Sequence, residues 1–141
     1  MAGSLCRAPW LARPTAQVLG TMYELDGRPA VADPRHVLAA AVARCEAAGY
    51  TPVITHPERL TWAEQHFSDF SELSRSGAWL QVTGGALVGR FGPRVKRLAE
   101  RFVGDGWTDV LASDGHTTGQ RAPVLAEARA RAAVLLGAEE A

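Results

Sequence analysis

From Asp33 onward the chain alternates between short apolar runs and longer stretches of helical period, and this alternation limits the fold more than any other feature. Pro52-Val53-Ile54-Thr55, Trp79-Leu80-Gln81-Val82 and Asp109-Val110-Leu111-Ala112 are each too short for a stable helix. They carry β-prone residues and are bounded by glycine or proline, so each predicts a strand. Between them the apolar period is that of a helix. Asp33 is placed as an N-cap with Pro34 at the first helical position, opening a helix to about Ala48. Val37, Leu38, Ala41, Val42 and Cys45 share one face of it, and Gly49 stops it. A second helix is predicted over Thr61 to Ser74, with Trp62, Phe67, Phe70 and Leu73 as its apolar side. A third runs from Pro93 to about Val103 and turns Val95, Leu98, Ala99 and Phe102 inward. The last, roughly Val124 to Leu136, is rich in alanine. Strands and helices alternating at this spacing make parallel strands joined by crossovers. The fold class is therefore α/β, with about three parallel strands. A complete barrel of such units takes about eight of them and roughly 250 residues. With 141 residues the chain holds part of a barrel or a small open sheet.

The first residues are less regular. Met1 to Pro14 is read as a loose arm. Ala16 to Glu24 alternates weakly and is a further candidate strand, closed by the turn Asp26-Gly27-Arg28-Pro29. The expected division is an N-terminal arm over 1–32 and a β/α domain over 33–141. Fifteen basic residues balance fifteen acidic ones, which argues against nucleic acid as a partner. No apolar run is long enough for a membrane span. Pro9 and Arg13 interrupt any signal-peptide core. Cys6 and Cys45 have neither metal nor redox spacing, as expected of free thiols in the cytoplasm.

Chemistry concentrates where strands end. One predicted strand runs into His56-Pro57-Glu58-Arg59, and another into Ser113-Asp114-Gly115-His116. The carboxyl ends of parallel strands are where α/β folds place ligands and metals. His56, Asp114 and His116 are thus candidate metal ligands, because neutral imidazole and carboxylate suit zinc, manganese or iron. Such a metal lowers the pKa of a bound water. Each motif alone is equally well explained as loop chemistry; the pair favours a site. Arg59 and Arg121 each follow a candidate ligand and could fork onto a phosphate, the alternative being surface ion pairs. Glu58 is read as a solvated loop acid rather than a partner for an imidazole N–H. Thr83-Gly84-Gly85 and Gly89-Arg90-Phe91-Gly92 match neither phosphate-loop fingerprint and are taken as tight turns.

The stretch Gly49 to Arg59, ending in His56-Pro57-Glu58-Arg59, resembles a motif of the PHP-type (polymerase and histidinol phosphatase) protein-tyrosine phosphatases of capsular and exopolysaccharide synthesis. The likeness continues through Gly77 to Gly92 and Ala112 to His116, with Arg121 following, and covers roughly Ala39 to Leu136. It implies the C-terminal portion of a (β/α)7 barrel. It implies a phosphatase that hydrolyses phosphotyrosine on a protein, such as a bacterial tyrosine kinase, with a metal-activated water. The metal is implied to be divalent, commonly Mn2+, with Zn2+ or Fe2+ as alternatives. By position His56, Asp114 and His116 match metal ligands, and Arg59 and Arg121 match phosphate-binding arginines. The family also has a His-x-His and further His and Glu ligands before the His-Pro-Glu-Arg stretch. No His-x-His occurs in this sequence, whose histidines are His36, His56, His66 and His116. Two alternatives therefore stand beside the phosphatase. One is a truncated, non-catalytic barrel remnant that acts as an interaction module and associates with copies of itself. The other is a ligase fragment, because Thr15 to Val53 is weakly similar to glutamine synthetase-like ligases.

Overall fold

The computed structural model describes residues 15–19, 33–115 and 125–137. Its centre is one parallel sheet of four strands in the order β1 (Thr15–Leu19), β2 (Thr51–Thr55), β3 (Trp79–Thr83) and β4 (Val110–Ala112). Sequential order with every pair parallel is the arrangement of consecutive barrel units. The three expected strands are present. A fourth, β1, comes from the weakly alternating stretch within the segment read as an arm, and it pairs with β2 from Thr15 opposite Thr51 to Leu19 opposite Thr55. Residues 20–24 of that predicted strand, the turn at Asp26 and the arm Met1 to Pro14 lie outside the described residues.

The helices are α1 (Pro34–Ala47), α2 (Phe67–Ser76), α3 (Gly84–Leu87), α4 (Pro93–Gly104) and α5 (Leu125–Leu136). Asp33 caps α1 as the sequence predicts, its carboxylate accepting the Arg35 N–H at 3.0 Å. Gly49, at φ +84°, follows the end of α1. Leu38 and Val42 of α1 are buried, while Cys45 is half-buried. The second helix starts later than predicted. Residues 61–66 form successive turns, with Ala63 N–H donating to Leu60 and His66 N–H to Trp62. These turns sink Leu60 and Ala63 into the core and stack Trp62 on Phe70 at 5.3 Å, so the apolar spacing that suggested a helix serves turn packing instead.

Register partners share a face of the sheet. Ile54 lies opposite Leu80, and Val82 opposite Leu111. These residues join Phe70, Leu98, Phe102 and Ala128 from the helices in one core. Asp109 ties β4 to β3 twice: its N–H donates to Leu80 O, and its carboxylate accepts the Leu80 N–H at 2.9 Å. The side chain thereby extends the ladder one position before β4 begins. The opposite face carries Thr55, Gln81 and Thr83 near the strand ends, an unusually polar run for a parallel sheet. Among the described residues no helix is long and apolar enough to cross a membrane.

Candidate functional site

The carboxyl end of β2 turns sharply. His56 adopts a left-handed backbone, φ 41° and ψ 52°, and Pro57–Arg59 form one turn of 3-10 helix behind it. A residue before proline prefers extended backbone, and a left-handed non-glycine residue carries about 1–2 kcal/mol of strain. Its surroundings hold it there. The His56 N–H donates to Gln81 O on β3 at 2.8 Å, and its carbonyl accepts the Arg59 N–H at 3.0 Å. The other described non-glycine residue with positive φ is Asp114, at 46°, two positions past β4. Aspartate tolerates this region better than histidine. Both described candidate ligands are therefore the residues whose backbone departs from the ordinary regions, a pattern characteristic of functional sites.

Arg59 brings the two strand ends together. Its Nη1 donates to Asp114 Oδ2 at 3.3 Å, across 55 residues of sequence. The pair is only partly shielded, with side chains 35% and 22% exposed, so its contribution to stability is at most about 1 kcal/mol. Its value is placement. The guanidinium also lies over the Phe91 ring, 5.0 Å from the centroid. Arg94, near the start of α4, donates to Leu60 O at 3.2 Å and pins the far side of the turn.

Glu58 corrects the sequence expectation. It is fully buried rather than solvated. Its Oε1 accepts the Thr83 N–H at 3.1 Å, where β3 passes into α3. Burial pushes its carboxyl up to about 7; hydrogen bonds from the backbone N–H groups of Glu58 and Thr83 and the charge of Arg59 oppose the rise. The side chain therefore clamps the His56–Arg59 turn to the end of β3. The sequence signal was there to be used: in His-Pro-Glu-Arg the proline fixes a tight turn whose next residue can face inward.

Two predicted site residues, His116 and Arg121, lie outside the described residues. Among the described residues no group of three His, Cys, Asp or Glu side chains is close enough to hold a metal ion. The described part of the site therefore offers two donors of the right kind, the His56 imidazole and the Asp114 carboxylate. An imidazole with a carboxylate oxygen suits a divalent transition metal. His66 and His36 are not at these strand ends. His66 Nδ1 lies 3.0 Å from Arg35 Nη1, and His36 is exposed.

Comparison with known proteins matches residues 29–141 to the family described as capsular polysaccharide synthesis, CpsB/CapC. The tyrosine-protein phosphatase YwqE of Bacillus subtilis is 38% identical over 73 residues, which are 52% of this chain and 29% of YwqE. CapC of Staphylococcus aureus is 34% identical over the same shares. A crystal structure from work on YwqE and CpsB of Streptococcus pneumoniae, described as metal-dependent tyrosine phosphatases, has a TM-score of 0.62 and 30% identity. It covers 77% of this chain and 42% of that one. The chain thus matches less than a third of its curated relatives' length. The matched family region takes in Pro29 to Val53 of the Thr15 to Val53 stretch likened to ligases, so the ligase reading is not favoured.

Proposed function

Because the chain belongs to the capsular polysaccharide synthesis family CpsB/CapC, we propose that it contributes the strand-end side of a metal-dependent protein-tyrosine phosphatase site. The observation that carries this is the convergence at Arg59. One cation is held against Asp114 from β4 while its own turn presents His56 from β2, and both candidate ligands sit in left-handed backbone. His56, Asp114 and His116 would hold the metal, with Mn2+ the first choice and Zn2+ or Fe2+ as alternatives. Bound there, a divalent ion supplies a water of low pKa as the nucleophile. Arg59 and Arg121 grip the phosphoryl oxygens and offset charge as it develops. Glu58 holds the turn that carries both His56 and Arg59. The substrate class is a phosphotyrosine protein, with a bacterial tyrosine kinase as the proposed partner and the cytoplasm as the proposed setting.

The test uses the full chain and a phosphotyrosine peptide, with Mn2+ or with chelator. Turnover that needs the metal, is abolished by Asp114→Ala, and falls about 10- to 100-fold in Arg59→Ala is expected, the latter from loss of a charge-assisted bond. Calorimetric metal binding should weaken in His56→Ala and Asp114→Ala but not in Arg59→Ala. A chain that binds Mn2+ through these residues yet never hydrolyses the peptide would overturn the catalytic assignment and leave the interaction-module alternative.

A further inference from the structure

Two glycine-containing stretches, Thr83-Gly84-Gly85 and Gly89-Arg90-Phe91-Gly92, touch the site through the Thr83 N–H and the Phe91 ring. The structure joins them at Arg59. The Arg59 guanidinium carbon stands 5.0 Å from the Phe91 ring centroid, over its face, within the range of cation–π attraction. The ring is itself fixed from the other stretch. A Cβ placed on Gly85 would come within 3.1 Å of Phe91 Cε2 and 3.6 Å of its Cζ, so the ring packs closely against the glycine and would have to give by a few tenths of an ångström to admit a side chain. Phe91 is half-buried, not a freely rotating surface side chain.

We propose that Phe91 is a positioning residue for Arg59, its ring seated against Gly85 so that the guanidinium waits at the strand ends with its donors toward a phosphoryl group. The proposal rests on Arg59 being a phosphate-binding residue, as above. Its logic is geometric. The ring faces the guanidinium carbon, whereas an anion is gripped by the N–H groups around that carbon, so the ring and a phosphate draw on different parts of the group. The Asp114 contact does use one of those donors, Nη1. When an incoming anion draws on those donors, the ring is the contact that can stay unchanged. An arginine already confined by a ring loses less side-chain freedom on binding than one free in solvent.

Inorganic phosphate is titrated calorimetrically into the full-length chain and into Phe91→Leu, Phe91→Tyr, Arg59→Ala and the Phe91→Leu/Arg59→Ala double variant. Removing the ring face should weaken phosphate about 5-fold, the equivalent of about 1 kcal/mol of cation–π attraction. Phe91→Tyr keeps the face and should restore binding to within about 2-fold of the parent. In the Arg59→Ala background the Phe91→Leu change should have no further effect. A second readout does not depend on function: the Arg59 Hδ and Hε resonances should be displaced upfield by the ring current and move back in Phe91→Leu. Absence of that displacement, or parental phosphate affinity in Phe91→Leu while Arg59→Ala is weakened, overturns the proposal. If Arg59→Ala leaves phosphate affinity unchanged, the phosphate site itself is refuted and the proposal falls with it, even with the ring current intact.

Discussion

Gly84→Ala sets two effects of opposite sign against each other, and the structure decides between them. Gly84 is the first residue of α3, and its φ is not in the positive region, so alanine fits the backbone. On backbone grounds alone the change should stabilise by about 0.5–1 kcal/mol. The space says otherwise. A Cβ on Gly84 would stand 2.9 Å from Ala128 Cβ and 3.5 Å from Ala112 O. Carbon atoms rest at about 3.5–4.0 Å. α5 must therefore withdraw by more than half an ångström from a fully buried contact, and overpacking of this kind costs about 1–3 kcal/mol. The net expectation is destabilisation by about 1 kcal/mol, read as a lowered urea midpoint at unchanged slope. Ala128→Gly alone should also destabilise, by about 1 kcal/mol, through helix propensity and lost packing. Together the two should be less harmful than their sum by about 1 kcal/mol, because the second makes room for the first. Gly84→Ala as stable as the parent, or strict additivity, would refute the close approach of α3 to α5.

Phe102→Ala should cost about 3–5 kcal/mol. Its fully buried ring meets Phe67 at 4.7 Å and Phe70 at 5.3 Å, and the loss is measurable by calorimetric or urea unfolding. Glu58 gives a pH signature. Its carboxyl rises from 4.5 to about 7 on folding, so between those values the native chain holds a proton the unfolded chain has released. That contribution is complete below pH 4.5 and is lost as pH climbs through about 7, by about 3 kcal/mol in all. With chelator present, Glu58→Gln should flatten this part of the stability profile, and parallel profiles for the two proteins would show that Glu58 does not titrate there.

The sequence was most legible where residue type and spacing act locally. Asp33-Pro34 gives the start of α1, and Pro93 the start of α4, without help from the rest of the chain. The cores of β2, β3 and β4 follow from short apolar runs between glycines and prolines. What escaped depends on distant partners. For β1 the weak alternation of Ala16 to Glu24 marked a candidate strand, but not the parallel edge of β2 that it joins. The start of α2 shifted because residues 61–66 satisfy their backbone in turns while burying Leu60 and Ala63. Glu58 was misplaced for a related reason: an acid in a loop is ordinarily solvated, and its burial follows from a donor 25 residues away. His56 and Asp114 were recognisable as candidates, whereas their shared left-handed backbone was not.

That shared conformation sets folding and chemistry in competition at the same two positions. Glycine at 56 or 114 would relieve backbone strain, about 1–2 kcal/mol at His56 and less at Asp114, while deleting the candidate donor atom. Selection for thermal robustness alone, in the laboratory or over evolutionary time, would drift toward these replacements and leave a sturdier sheet without the candidate ligands at its rim. Persistence of histidine and aspartate there in any close homologue would mark selection on chemistry rather than on fold. Loss of either toward glycine would mark a lineage that had kept the scaffold and abandoned the site.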